Sequence, residues 1–271
     1  MIWDRFGDVA NYVEPFAGSL AVLLSRPTEP RIETVNDLDC HVANFWRAVQ
    51  AVPDAVAKWC DWPVNEADLH ARHLWLVQGL PAHRERMMTE PDYFDAKIAG
   101  WWVWGICQWI GSGWCKELHL KRPCLGSAGR GVTLMTLSQT LELFKQLTQR
   151  LRKVRVCCGD WSRVCGVTPT VDNGITAIML DPPYADTAQR KEDLYREDSQ
   201  TLAHDVAKWA IERGQDNRMR IALCGYSAEH QMPNGWECVS WTSIGTNSEN
   251  AKKERIWFSP HCIGAKQRSL F

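Results

Sequence analysis

Ala177-Ile178-Met179-Leu180-Asp181-Pro182-Pro183-Tyr184 is the stretch of sequence that decides the fold of this chain. Its first four residues are an uninterrupted apolar run, which is typical of a strand buried on both faces of a parallel sheet. Two consecutive prolines then fix φ and remove two backbone N–H groups, so the strand ends in a stiff loop. Because ligands bind beyond the carboxyl ends of strands in open α/β sheets, we expect this loop to carry chemistry.

The start of the chain alternates strands and helices. Strand-like runs at residues 11–16 and 31–35 each end in a turn, and helical segments follow at residues 20–24 and 40–50. In the second segment, apolar residues recur at Val42, Phe45, Trp46 and Val49, the spacing of one helix face. Strand, turn and helix repeated in this way predict a parallel α/β sheet.

The same alternation returns at Thr136, which with Gln139 forms the pattern of a helix-capping box. Strands are predicted at residues 154–158, 177–180 and 220–224, with a helix around residues 202–209. The last two strand-like runs, residues 236–241 and 255–259, have no helix between them. They are therefore expected to pair as an antiparallel hairpin that finishes the sheet.

Between residues 51 and 133 the alternation breaks. Helices are plausible at residues 66–78 and 93–104, and glycine clusters at residues 111–113 and 126–131 indicate loops. We predict a mainly helical inserted subdomain at residues 51–133, and a catalytic domain made of residues 1–50 and 134–271.

Composition limits the classes of function. The chain has 271 residues and a formal net charge of -1, so a nucleic-acid site would have to be a local basic patch. Its 11 Cys show no metal-site spacing, which favours reduced thiols in a cytoplasmic protein and no metal. No apolar run reaches the roughly 20 residues of a membrane span, and the first residues do not resemble a signal peptide.

A strand-to-helix turn at Glu14-Pro15-Phe16-Ala17-Gly18-Ser19 is the first candidate site. Gly18 lets the backbone approach a ligand closely, and a helix N-terminus offers free N–H groups. Asp37 ends the next predicted strand, where a carboxylate can accept hydrogen bonds from ribose hydroxyls. The turn therefore either binds a nucleoside cofactor or is only structural.

The loop Asp181-Pro182-Pro183-Tyr184 is the second candidate site. The Asp181 carboxylate and the Pro182 carbonyl can together accept both hydrogens of an exocyclic amino group, which turns the nitrogen lone pair toward a methyl donor. Tyr184 can stack on the base that carries that group. The alternative is a chance turn, since Asp-Pro often starts one.

These motifs resemble those of the Dam-like, alpha-class DNA adenine-N6 methyltransferases, some of which are phage or restriction-modification enzymes. Residues 12–24 are similar to the cofactor motif of that family, residues 36–39 to its ribose-binding turn and residues 181–184 to its catalytic motif. Gly159-Asp160-Trp161 resembles the turn that contacts the cofactor adenine. The resemblance covers residues 11–50 and 154–260, about two thirds of the chain.

The resemblance implies a Rossmann-like methyltransferase sheet, S-adenosyl-L-methionine as cofactor and direct methyl transfer to a base flipped out of double-stranded DNA. It implies a cytoplasmic enzyme of a bacterium or a phage-infected cell, with no membrane partner. Asp181 to Tyr184 would be catalytic. The implied cofactor-binding residues are Glu14, Pro15, Phe16, Ala17, Gly18, Ser19, Asp37, Asp160, Trp161 and Asp181.

The chain departs from the family at its start. A Gly-Gly-Lys-type segment usually precedes the first strand and closes over the cofactor, and residues 1–10 contain none. We expect either that such a segment is encoded upstream of Met1, or that the insert, a second copy of the chain or a partner subunit completes the pocket.

The predicted insert combines tryptophans with basic residues. Trp101, Trp102, Trp104, Trp109 and Trp114 are either platforms for bases or core residues, because Ile98, Trp101 and Trp104 also fit one face of a buried helix. Five side chains are candidates for phosphate contact: Lys116, His119, Lys121, Arg122 and Arg130. The polar residues 186–198 form either a lid over the base or a solvated connection.

Two other functions fit the same residues. N4-cytosine or RNA amino-methylation would use the same loop, and a non-catalytic DNA-binding subunit would keep the fold without binding cofactor. The order of the motifs and the leading Asp181 favour adenine in DNA.

Overall fold

The protein is described by a computed structural model. The structure describes residues 1–29, 31–109, 111, 113–116, 119–124, 131–183, 198–227, 229–240 and 254–264, and backbone only at residues 198–200. The chain divides into two compact units. The first is Met1–Asn36 with Gly159–Phe271, and the second is Asp37–Cys158.

In the described residues, the strands are β1 (Asn11–Glu14), β2 (Ile32–Asp37), β3 (Arg155–Cys158), β4 (Thr176–Leu180), β5 (Met219–Tyr226), β6 (Glu237–Ser240) and β7 (Glu254–Phe258). The helices are α1 (Ile2–Phe6), α2 (Ala21–Leu24), α3 (Cys40–Ala51), α4 (Pro53–Cys60), α5 (Glu66–Thr89), α6 (Ala96–Ile106), α7 (Leu137–Leu151) and α8 (Asp198–Arg213). None of these helices combines the length and apolarity needed to cross a bilayer.

A mixed sheet organises the first unit. Its strands lie in the order β2-β1-β4-β5-β7-β6. The pairs β1–β2, β1–β4 and β4–β5 are parallel, and β7 runs antiparallel to both β5 and β6. The predicted α/β class and the closing antiparallel hairpin are therefore confirmed. The predicted methyltransferase character of the sheet stays a prediction.

Burial explains why the central strands form. Every residue of β1 and of β4 is buried, as the apolar run at residues 177–180 predicts for a strand covered on both faces. Val13 of β1 lies opposite Thr34 of β2 and Ile178 of β4. This register places the ends of β1 and β4 side by side at the same edge of the sheet.

Helix α1 is an element that the sequence analysis missed. Trp3 and Phe6 pack against Tyr12 of β1, with ring centroids 5.0 and 6.2 Å away. The Trp3 Nε1–H donates a hydrogen bond to the Val22 carbonyl at 2.7 Å. The helix has only five residues, too few for a periodic pattern to be recognised, and tertiary packing stabilises it.

The second unit is helical except for β3, and it contains α3, α4, α5, α6 and α7. The capping box predicted at α7 is confirmed, because the Thr136 and Gln139 side chains accept hydrogen bonds from each other's backbone N–H. The predicted insert at residues 51–133 falls inside this unit, whose bounds are wider. Its status as a separate subdomain stays a prediction.

The tryptophans of the predicted insert mostly belong to a core. Trp102, Trp104, Trp109 and Trp114 are buried, while Trp101 is half-buried. Gly105 leaves room for Trp114, whose ring would lie 1.9 Å from an added Cβ. Of the two alternatives that the sequence left open, the structure favours core packing for these four side chains.

Candidate active site

The turn that follows β1 has the backbone geometry expected of a ligand-binding turn. Gly18 has φ of +46° and Leu20 has φ of +55°, both in the left-handed region. The Ala17 N–H donates to the Asn36 carbonyl at 2.8 Å, and the Leu20 N–H to the Ala17 carbonyl at 2.9 Å. A Cβ added at Gly18 would meet nothing within 4 Å, so open space lies beside this residue.

Asn36 holds this turn in place. Its Nδ2 donates to the Pro15 carbonyl at 3.0 Å and to the Gly159 carbonyl at 2.9 Å. The residues that follow β1 are thereby joined to the start of the predicted adenine-contacting turn at Gly159. Asn36 is 1% exposed, and its Oδ1 has no hydrogen-bond partner among the described residues.

Glu14 is a buried acid at the end of β1. Its Oε2 accepts a hydrogen bond from the Tyr12 hydroxyl at 2.9 Å, and the side chain is almost fully buried. The pKa of Glu14 is raised to about 8, mainly by burial, with a contribution from the negative charges of Asp181 and Glu33 and against the opposing effect of hydrogen bonds from the Tyr12 hydroxyl and the Leu23 backbone. Glu14 therefore carries a proton at neutral pH, and a bound cation would favour its ionised form.

Aromatic rings flank the predicted adenine-contacting turn. Phe16 stacks on Trp161 with ring centroids 6.2 Å apart and an angle of 28° between the planes. Trp209 of α8 meets Trp161 edge-on at 5.8 Å. The Asp160 Oδ1 accepts a hydrogen bond from the Ser162 backbone N–H at 2.9 Å and another from the Ser162 hydroxyl. The turn thus offers a flat aromatic surface beside a carboxylate.

Asp181 follows β4 directly and lines a cavity of about 490 Å³. The cavity wall includes residues of α1, α2, β4, β5 and β7, among them Trp3, Val22, Cys224 and Arg255. Asp181 and Pro183 are exposed and Pro182 is buried. Tyr184 lies outside the described residues, as do residues 186–197 of the segment 186–198, which was predicted to be a lid or a solvated connection.

The first unit therefore brings together most of the predicted cofactor and catalytic residues. The turn at residues 14–19, Asp160, Trp161 and Asp181 all belong to the neighbouring ends of β1 and β4 or are joined to them through Asn36. Open space at Gly18, the partnerless Asn36 oxygen, the Phe16 and Trp161 rings and the Asp181 carboxylate fit a ligand with an aromatic base and a cationic centre. S-adenosyl-L-methionine has both.

Asp37 belongs to the second unit, of which it is the first residue. Its Oδ1 accepts a hydrogen bond from the Asp39 N–H at 2.9 Å, and Asp39 in turn caps α3 by accepting from His41 N–H at 2.8 Å. The carboxylate is thus part of a tight turn, as the sequence predicted. Its contact with ribose stays a prediction.

The predicted phosphate-binding residues also belong to the second unit. Lys116, His119 and Arg122 are exposed. Lys121 is half-buried, with its Nζ 5.4 Å from the centre of the Trp109 ring and its carbonyl 3.0 Å from His70 Nε2. Arg130 lies outside the described residues.

A pair of thiols in the second unit was not predicted. All 11 cysteines are free, yet the Cys158 Sγ lies 3.7 Å from the Cys40 Sγ, which also accepts a hydrogen bond from Arg84 Nε at 3.4 Å. The thiol of Cys158 and the Arg84 guanidinium lower the pKa of Cys40 to about 6. Sequence spacing gives no signal for this pair, because its members are 118 residues apart.

No protein-family model matches the chain, and no curated protein matches it significantly. The family suggested by the motifs therefore stays a resemblance, and the case for a function depends on the site itself.

Proposed function

We propose that the chain is an S-adenosyl-L-methionine-dependent DNA methyltransferase that methylates the exocyclic N6 of adenine. The observation that carries the proposal is the pairing of β1 with β4. Because these two strands are parallel neighbours, the glycine turn and the Asp181-Pro182-Pro183 loop follow adjacent strand ends at the same edge of the mixed sheet. Such strand ends are where α/β sheets bind nucleoside ligands.

The chain's own residues would act by orientation. The Asp181 carboxylate and the Pro182 carbonyl accept hydrogen bonds from the two amino hydrogens, which makes the nitrogen lone pair available for attack. Tyr184 stacks on the flipped base, and Asp181 stabilises the positive charge that develops on the nitrogen before a proton leaves it. The cofactor, when bound, supplies a methyl group activated by its sulfonium centre.

Residues around the turn would hold the cofactor. The Asp181 carboxylate suits its cationic end, Glu14 would ionise beside that bound cation, and Phe16 and Trp161 offer ring surfaces for its adenine. The described residues contain no group of three or more His, Cys, Asp or Glu side chains that could hold a metal ion. The proposed reaction has no step that requires a metal.

Labelled cofactor and plasmid DNA test the proposal directly. The natural protein should transfer label to DNA, and mass spectrometry of the nucleosides should identify N6-methyladenine. Asp181→Ala should lower transfer by on the order of 100-fold or more, because a preorganised acceptor is lost. Asp172→Ala removes another exposed acid of the same unit and should leave transfer unchanged.

Other products would assign the other functions. N4-methylcytosine, or label in RNA rather than DNA, would replace adenine-N6 methylation with the corresponding amino-methylation. DNA binding without any transfer would favour the non-catalytic subunit. Wild-type turnover by Asp181→Ala would refute the role given to this carboxylate.

A further inference from the structure

Three tryptophans of the second unit are exposed in one groove. Trp59, Trp62 and Trp75 are 42%, 50% and 43% exposed, and with Trp101 they line a cavity of about 470 Å³. We call this surface the tryptophan groove. Exposed rings gathered in one concave surface are rare on monomeric proteins and mark sites of interaction.

The groove is built from fixed parts. Trp59 and Trp75 both meet Trp101 edge-on, with ring centroids 6.1 and 5.3 Å apart. Trp59 belongs to α4, which packs so closely on α6 that a Cβ added at Gly100 would lie 2.3 Å from the Trp59 Cβ. The rings of Trp59 and Trp101 are therefore held in position by helix packing.

Hydrogen bonds fix the ring of Trp62 in the groove wall. The Trp62 Nε1–H donates to Asp68 Oδ2 at 2.5 Å, and Asn65 Nδ2 donates to the same oxygen at 2.7 Å. These two bonds lower the pKa of Asp68, so this carboxylate is ionised and engaged with the groove wall. Trp62 is oriented before any ligand arrives, which reduces the entropy lost on binding.

Cations lie among the rings. Arg72 places its guanidinium carbon 5.3 Å from the Trp62 ring centre and 5.0 Å from that of Trp101. Lys97 Nζ lies 4.3 Å from the Trp101 centre, and Lys58 lines the groove together with two acids, Asp61 and Asp68. Burial lowers the pKa of Arg72, so an anion that reached it would meet a partly desolvated charge.

This combination selects among ligands. A quaternary ammonium would meet like charges at ring faces that already hold cations, and a wholly apolar partner would leave the buried Arg72 Nη1, which has no hydrogen-bond partner among the described residues, unsatisfied. A ligand with a flat aromatic ring and an attached anion satisfies both features. Nucleotides of an unpaired strand have that composition, and proteins bind them by stacking on aromatic rings within basic grooves.

We propose that the tryptophan groove binds unpaired nucleotides of DNA, with bases stacked on Trp62 and Trp75 and phosphate near Arg72 and Lys58. The proposal rests on the proposed function, since base flipping leaves nucleotides of the duplex unpaired. The groove is formed by residues 58–101 of the second unit, and its lining includes neither the Asp181 loop nor any of the predicted phosphate-binding residues.

Fluorescence anisotropy with a labelled single-stranded oligodeoxynucleotide and its duplex, without cofactor, tests the groove. Trp62→Ala and Trp75→Ala should each weaken single-strand binding on the order of 5- to 100-fold, the loss expected for one stacked base. Trp62→Phe and Trp75→Phe should retain most of the affinity. Met88→Ala removes an apolar side chain of α5 that is 81% exposed and should change nothing.

Two outcomes would overturn the proposal. One is single-strand affinity in both Ala variants equal to that of the natural protein, with melting temperatures showing that they are folded. The other is that the Ala variants keep their single-strand affinity but lose a self-association that the natural protein shows in size-exclusion chromatography. That result would assign the groove to a second copy of the chain. The Asp181→Ala variant should still bind single strands, so failure of the groove and failure of the catalytic assignment are distinguishable.

Discussion

Glu14 illustrates how one buried side chain links the site to stability. Its carboxyl is almost fully buried at the end of β1, and burial raises its pKa to about 8 from an ordinary value of 4.5. In the unfolded chain the same group ionises near its ordinary value. The folded state therefore binds a proton that the unfolded state has released, and stability falls as pH rises between these two values.

We predict that Glu14→Gln removes this dependence. The neutral amide keeps an acceptor for the Tyr12 hydroxyl but cannot ionise, so the variant should gain in melting temperature over the natural protein as pH rises from about 5 to about 8. Thermal denaturation across this range measures the difference. Glu142→Gln, at an exposed position, is the control. A constant offset between Glu14→Gln and the natural protein would contradict the raised pKa.

Residues that act through local motifs could be predicted from the sequence, and those that act over long separations could not. Gly18 and Asp181 stand in short patterns whose chemistry is local. Asn36 bonds to carbonyls 21 and 123 residues away, so its clamp on the turn exists only in the folded sheet. Its position directly before Asp37 was the only signal available.

Among helices and strands, apolar periodicity predicted the elements with one buried face, and continuous apolar runs predicted the strands buried on both faces. The helices α2, α3, α5, α6, α7 and α8 and all the strands were expected from the sequence. The strand ends differ from the predicted ends by one or two residues, and larger differences occur at α6, at α8 and at the end of α5. Helix α4 was missed although Pro53 at its first turn and Val56, Ala57 and Cys60 on its buried side are suitable signals. The eight-residue helix is short, and a neighbouring stretch rich in Trp and Asp concealed its pattern.

Glycines in two helices of the second unit give opposite predictions. Gly79 lies inside α5 and a Cβ there would meet nothing within 4 Å, so Gly79→Ala should stabilise by about 0.5–1 kcal/mol. At Gly105 of α6 the added Cβ would lie 1.9 Å from the Trp114 ring, so Gly105→Ala should destabilise by about 1–3 kcal/mol.

Denaturant midpoints of the two variants and the natural chain measure both effects. The substitution is the same in each, so any difference in sign reports the packing around the glycine rather than helix propensity. Stabilisation by Gly105→Ala would mean that Trp114 does not pack against α6 as described.

For the whole molecule, the sequence predicted the fold class better than it predicted which side chains lie on the surface. The apolar runs predicted an α/β fold, and a mixed sheet of that class is present. Composition could not tell which of the 15 tryptophans are buried, because a helix rich in Trp gives no polar side. The structure buries four of the five tryptophans first suspected of contacting bases, leaves Trp101 half-buried, and exposes Trp59, Trp62 and Trp75.

A net charge of -1 means that DNA affinity must come from a local group of cations. The predicted group belongs to the second unit, and its members Lys116, His119 and Arg122 are exposed. Each phosphate that such a group neutralises releases counterions, which makes binding weaken as salt rises. The slope of log affinity against log salt therefore reports how many cations contact the DNA backbone.

We predict that replacing four of these cations with Gln flattens the salt dependence of duplex binding. The substituted residues are Lys116, Lys121, Arg122 and Arg130. If all four contact phosphates, the slope of log affinity against log salt should decrease by about 3–4, since each contact contributes roughly 0.9.

The control replaces four exposed cations elsewhere in the same unit, Lys145, Arg152, Lys153 and Arg155. The control changes net charge equally, so an equal decrease in both variants would attribute the effect to overall charge. An unchanged slope in the first variant would place the DNA-binding surface on other residues.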